Sequence, residues 1–172
     1  MTFESIQNLL EEAFGKEAIL AANPKSLQPI LEIASDKLLS VCQFLQTSEK
    51  TYFDFLSCIT GIDNGVEKGT MEVLYHLYSI PYHHFLVLKV VLPRNKADEP
   101  LPQIPSVSHI WAAANWHERE IYDLLGIEFT NHPDLRRILL PADWQGYPLR
   151  KDYQPQDTYH GIEVKYQKRQ AD

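Results

Sequence analysis

The residue types best suited to chemistry in this chain fall in one short run, Glu118-Arg119-Glu120, with Trp111, Trp116 and Tyr122 close by. Two carboxylates near a histidine such as His132 are the raw material of general acid–base catalysis. A catalytic carboxyl must be tuned toward neutral pH by burial or by a like charge. Arg119 works against that, because an adjacent cation favours the ionised form. A second chemistry is suggested by His117-Glu118, which begins like the zinc-binding H-E-x-x-H helix, but the fifth position is Ile121. A strand holding His83 and His84 would aim them at opposite faces, so they do not form a ligand pair. The seven glycines are scattered and make no phosphate loop or dinucleotide fingerprint.

A third use of the same residues is docking. Arg119 and Asp123 are four apart on one helix and are expected to pair. Downstream, His132, Arg136 and Arg137 supply cations able to reach back to Glu118, Glu120 and Asp123. Arginine–carboxylate forks fix geometry. Their net energy is small, since desolvation offsets much of the attraction.

These side chains need a helix to carry them. Ser106 or Ser108 is predicted to cap one that runs to Leu125, with Gly126 at the stop; about 18 residues span about 27 Å. Ile110, Ala114, His117, Ile121 and Leu124/Leu125 form the stripe expected to face a sheet. Upstream, Phe3, Ile6, Leu10 and Phe14 predict an amphipathic helix over 2–14, with Thr2 as its cap. Short strands are expected around 18–22 and 29–33, then a helix capped by Ser35 that ends near Thr47. Tyr52–Ile62, Met71–Ile80 and His84–Leu92 read as strands, the last two joined through Pro81-Tyr82. Both faces of His84–Leu92 are largely apolar, which predicts a central strand covered on both sides. Prolines 93, 100, 102 and 105 make an extended loop.

The order α-β-β-α-β-β-β-α predicts a two-layer α+β domain, helices packed on a mixed β-sheet, over residues 1–126. Residues 127–157 read as an ordered Pro/Arg-rich strap continuous with that domain, since Leu135, Ile138, Leu139 and Leu140 need an apolar surface to bury against. Residues 158–172 read as a polar, mobile tail.

A net charge of −7 argues against nucleic-acid binding. No apolar run reaches the roughly 18–20 residues of a membrane span, and no basic leader precedes the first helix, so a soluble intracellular protein is expected. Cys42 and Cys58 are the only cysteines; buried free thiols are expected at both. An iron–sulfur cluster normally needs four thiolates, more than this chain holds.

The run Glu118-Arg119-Glu120-Ile121-Tyr122-Asp123-Leu124-Leu125, followed after six residues by His132-Pro133-Asp134-Leu135-Arg136-Arg137-Ile138, resembles the signature of the C subunit of NADH-quinone oxidoreductase. That is the 30-kDa subunit family of respiratory complex I. The likeness continues through Pro141, Asp143-Trp144, Gly146 and Pro148-Leu149-Arg150-Lys151-Asp152-Tyr153. It extends more weakly over Tyr52–Val91, with Asp63 just beyond Tyr52–Ile62. The N-terminal fifty residues carry no diagnostic motif.

The resemblance implies an accessory subunit of the peripheral arm that supports electron transfer from NADH to quinone and the coupled proton translocation. It implies no catalytic site, metal or cofactor in this chain, with flavin and iron–sulfur clusters in partner subunits. The B, D and I subunits of the complex are the implied partners. Quinone and the membrane are reached only through the complex, on the cytoplasmic face of the bacterial inner membrane. Glu118, Arg119, Glu120, Asp123, His132, Arg136 and Arg137 are implied to serve structure or docking. Alternatives are the equivalent subunit of a group 4 membrane-bound hydrogenase or ferredoxin-linked complex, and a stand-alone metal-dependent hydrolase.

Overall fold

The computed structural model describes residues 1–96 and 98–164. Helix α1 (Phe3–Phe14) begins where Thr2 Oγ1 accepts the Ser5 N–H at 3.2 Å, and it stops at Gly15. Its Ile6 and Leu10 are fully buried. Strands β1 (Ile19–Asn23) and β2 (Ile30–Ile33) follow. Ser35 makes no side-chain cap. A short 3-10 turn over Ser35–Lys37 leads instead into α2 (Leu38–Thr47), which buries Leu38, Val41, Cys42 and Leu45.

Next come β3 (Phe55–Asp63), β4 (Thr70–Ser79) and β5 (His84–Pro93), the last two joined by a tight connection through Pro81-Tyr82. The five strands form one mixed sheet in the order β1-β2-β5-β4-β3. Only β2 and β5 run parallel in it. Strict alternation along β4 sends Met71, Val73, Tyr75 and Leu77 inward, where Leu86, Leu88, Val90 and Leu92 of β5 join them. Each such burial contributes about 1.5–3 kcal/mol.

β5 is central, as expected, but the helices cover one of its faces and not both. The core residues of all three helices belong to the same cluster as those inward strand residues. On the opposite face Phe55 and Phe85 are about half exposed, and Glu32 pairs with Lys89 at 2.7 Å. An apolar alternation records which side chains avoid water in some context; it does not say that this chain supplies the cover.

The third helix is shorter than its periodicity predicted. After β6 (Gln103–Pro105), residues 107–113 form successive turns, and α3 runs only from Ala114 to Leu125. Two tethers account for the break: the Trp111 indole N–H donates to the Phe53 carbonyl at 2.9 Å, and Ser106 uses its hydroxyl elsewhere. β7 (Glu128–Thr130) then pairs in parallel with β6, clamping both ends of this segment. Part of the tail is ordered into a ribbon, β8 (Thr158–Tyr159) with β9 (Ile162–Glu163). The remainder of the expected mobile tail, residues 165–172, lies outside the described residues. Cys42 is a buried free thiol as expected, whereas Cys58 is half-buried and also free.

Candidate functional site

Helix α3 lies tight on β3 because Gly61 offers it no side chain. A Cβ there would sit 2.5 Å from Leu125 Cδ1. The close approach sets the rotation of the helix. Ala114, Glu118, Ile121 and Leu125 point inward, and His117 is only half-buried. The sheet-facing stripe keeps Ala114, Ile121 and Leu125 as expected, but Glu118 takes the inward place expected of His117, and so a carboxylate lies inside.

Glu118 is 0% exposed. Its Oε1 accepts the Val107 N–H at 2.7 Å and its Oε2 meets the Ser106 hydroxyl at 2.5 Å. Ser106 Oγ lies 2.8 Å from Ser108 Oγ, extending the chain of hydroxyls toward the surface. His132 Nε2 is 3.9 Å from Glu118 Oε2. That imidazole is not a counter-ion. Its Nδ1 accepts the Asp134 N–H, so this nitrogen carries no proton, and Nε2–H donates to the Asn115 carbonyl. Burial, reinforced by nearby Arg119, holds His132 below its ordinary value. With no Lys or Arg paired to it among the described residues, Glu118 is raised by burial to about 7, although the Ser106 and Val107 bonds pull the other way. The Cys42 thiol and Tyr75 hydroxyl share this interior, and burial pushes both upward.

Asp123 is equally buried but solvated by the chain. Its Oδ2 accepts three successive N–H groups, Ile138 at 3.0 Å, Leu139 at 2.7 Å and Leu140 at 3.0 Å. Arg137 Nη1 completes the cradle at 3.0 Å from Oδ1. Burial alone would raise this carboxyl; the three N–H groups and Arg137 outweigh it and hold Asp123 below its ordinary value. The backbone of the Ile138-Leu139-Leu140 run is thus what α3 grips. Of the apolar strap residues expected to bury, Leu135 packs on the core while Leu139 is 61% exposed.

The expected Arg119–Asp123 pair does not form. Asp123 is taken by Arg137, and Arg119 turns to the strap. Its Nε donates to the Arg136 carbonyl at 3.2 Å, Asp134 lies 3.9 Å away, and its guanidinium covers Trp116. Arg136 itself does not reach the helix carboxylates. It pairs with Asp134 at 3.0 Å, and its side chain is 74% exposed. Glu120 and Trp116 are also exposed. The seven signature residues therefore divide. Glu118, Arg119, Asp123, His132 and Arg137 face inward; Glu120 and Arg136 face out.

Sequence reasoning missed a second fastening. Asp63, at the end of β3, accepts Arg94 Nε at 2.8 Å, the Lys151 N–H at 2.8 Å and the Gly65 N–H at 3.0 Å. Arg94 also binds Asp152. Burial alone would raise Asp63; these bonds together hold it below its ordinary value. Arg150 then caps α3 from outside, with Nε donating to the Leu125 carbonyl at 2.7 Å and Nη2 to Gly126 at 3.1 Å. A cation at a helix C-terminus is favoured by the helix dipole. Gly126 has φ +66° and lies under the Tyr147 ring, so a side chain there would collide with it. Partners 31 and 88 positions apart leave no periodic trace; Asp63 at the end of an apolar strand was the one available sign.

Among the described residues, no three His, Cys, Asp or Glu side chains converge to hold a metal ion. Of the charged groups of α3, Arg119 and Asp123 are engaged with the strap, Glu118 with Ser106 and Val107, and Glu120 is exposed. The fold and this site define a class of protein: a two-layer α+β scaffold whose ionic residues fasten an irregular strap across helix and sheet.

Comparison with known proteins gives the class its family. Residues 31–159 match the respiratory-chain NADH dehydrogenase 30 Kd subunit, and the chain belongs to that family. The C subunit of NADH-quinone oxidoreductase from Chloroherpeton thalassium is 42% identical over 165 residues, 95% of this chain; the match spans 65% of that protein, under two thirds of its length. The C/D subunit of NADH-quinone oxidoreductase from Pseudomonas paraeruginosa is 35% identical over 156 residues, 87% of this chain and 25% of that one. Among solved structures, a chain from the membrane-bound sulfane sulfur reductase, an archaeal respiratory membrane complex, superposes with a TM-score of 0.70. It covers 88% of this chain and 84% of its own length at 24% identity, which establishes a common fold.

Proposed function

We propose that this chain is a structural subunit of NADH-quinone oxidoreductase that holds electron-transfer subunits in register without a redox centre of its own. The observation that carries this reading is the division of the signature. Arg119, Asp123, His132 and Arg137 join α3 to the strap and Glu118 ties α3 to Ser106 and Val107, which leaves Glu120, Arg136, Trp116, Leu139 and Leu149 on the exposed surface. Such a surface, aromatic and arginine-bearing, has the composition of a docking face.

The fused Pseudomonas relative supports the D subunit as an immediate neighbour, since there a stretch similar to this chain makes up a quarter of a protein named C/D. The B and I subunits are further proposed neighbours. Flavin, iron–sulfur clusters and quinone are assigned to partner subunits. No helix among the described residues is long and apolar enough to cross a membrane. Association with the cytoplasmic face of the membrane is accordingly assigned to the assembled complex.

The test is affinity purification of the tagged chain from native membranes, with identification of the subunits recovered. Recovery of the B, D and I subunits supports the reading; recovery of hydrogenase subunits redirects it to that related complex. Arg136→Glu should leave the melting temperature of the isolated chain unchanged and reduce recovery of partner subunits. If the variant assembles normally while turnover of the complex falls, the docking role is wrong.

A further inference from the structure

Strand β3 ends the five-stranded sheet, and β4 is its only strand partner there. Its Ile59, Thr60 and Gly61 line a groove of about 230 Å³ together with Glu120 and Leu124 of α3 and Leu149 of the strap. We infer that this edge takes up an extended segment of a neighbouring subunit as an added strand, with a Lys or Arg of that segment paired to Glu120. The inference rests on the structural-subunit reading above and adds to it a site, a binding mode and a partner chemistry.

The backbone supplies the first argument. An edge strand presents unpaired N–H and C=O groups, and proteins ordinarily protect such an edge with Lys, Pro, a bulge or a covering element. Residues 55–62 contain no charged residue and no proline. A bulge between Leu56 and Cys58 disturbs only the start of the strand; from Cys58 to Asp63 the register with β4 is regular. Helix α3 packs on the inner face of β3 at Gly61. Among the described residues, 58–62 make no hydrogen bond except those of the pairing with β4. Thr60 and Ile62 are exposed on the opposite face, so the edge is reachable from solvent.

The groove supplies the second argument, and its charge selects the occupant. Glu120 is the only ionisable side chain in its lining. It is exposed and makes no hydrogen bond or ion pair among the described residues. Arg119, next to it in the chain, turns to the Arg136 carbonyl, and Arg150 is spent on the Leu125 and Gly126 carbonyls. The local charge is therefore negative and unanswered, and the net charge of −7 over the whole chain favours a basic partner further. Leu124 and Leu149 give the same groove an apolar wall, which suits the methylene stem of a Lys or Arg. In strand addition the main chains supply affinity, and pockets for alternate side chains supply specificity. An acidic segment or a phosphate would meet Glu120 as a like charge.

The experiment places a photo-reactive benzophenone amino acid at Thr60 or, separately, at Ile62 of the full chain, then irradiates the complex in native membranes. Cross-linked peptides are identified by mass spectrometry. Both positions should join one segment of a neighbouring subunit, within about four residues of a Lys or Arg. The two attachment points should lie about two residues apart, because side chains on one face of paired strands advance together. Glu120→Gln should lower the cross-link yield per recovered complex roughly tenfold. The inference is overturned by products confined to this chain or to phospholipid, by a segment without a nearby Lys or Arg, or by attachment points that share no register. No product at all, or an unchanged yield in Glu120→Gln, overturns it equally. These outcomes differ from a failure of the parent reading, in which the tagged chain would be recovered without any other respiratory subunit.

Discussion

Replacing Glu118 by Gln tests the interior of the site most directly. The carboxyl is fully buried, has no Lys or Arg partner among the described residues, and is raised from an ordinary 4.5 to about 7. A folded-state value above the unfolded one means that the fold prefers the protonated acid. The corresponding stability is fully present below about pH 4.5 and is lost as pH rises toward about 7. At about 1.36 kcal/mol per unit, a difference of roughly 2.5 units amounts to about 3 kcal/mol. Glutamine keeps the shape. Its oxygen can accept the Val107 N–H, and its amide can donate to Ser106 Oγ, which then donates to Ser108. The assay is urea unfolding of the purified chain and of Glu118→Gln from about pH 4 to about pH 8, read as the difference between the two curves. Subtraction matters here, because His76, His84 and His132 are all held low by burial and their stability contributions grow as pH rises over part of the same window. The expected difference moves by about 3 kcal/mol in favour of the variant as pH rises. A difference curve flat to within about 0.5 kcal/mol would falsify the argument, for Glu118 would then titrate alike in the folded and unfolded chains.

Asp123→Ala should cost about 3–5 kcal/mol, because it strands Arg137 and three strap N–H groups together; urea unfolding and protease cleavage within residues 136–150 read it. Loss of strap protection without loss of global stability would show that the strap folds separately. Asp63→Asn should be less stable than the parent near neutral pH. Asp63 is held below its ordinary value, so its contribution is present above about pH 4 and fades as pH falls through the lowered value; the gap should close on acidification. Gly61→Ala should destabilise by about 1–3 kcal/mol through overpacking against Leu125, seen as a lower melting temperature. An unchanged value would mean that α3 does not owe its position to that glycine.

The elements with a clean period were legible in the sequence. Thr2 capping α1, the alternation of β4, the hairpin at Pro81-Tyr82 and the α+β order all follow from local chemistry acting within a few residues. The family was legible too, because its signature is contiguous from Glu118 to Tyr153. The role of each signature residue was not. In sequence a carboxylate reads as an exposed face, since burial of an unpaired charge is costly. Glu118 and Asp123 are inside because groups 11 to 17 positions away offset that cost: Ser106 and the Val107 N–H for one, Arg137 and the N–H groups of 138–140 for the other. The pairing of Arg119 with Asp123 looked natural from spacing alone, and it lost to Arg137, which arrives through space. What the sequence by itself determined was which residues would carry charge on α3 and the strap. Only the tertiary structure decided which of those charges are solvated by the chain and which are left for a partner, because hydration of a buried ion by backbone depends on where the rest of the chain passes.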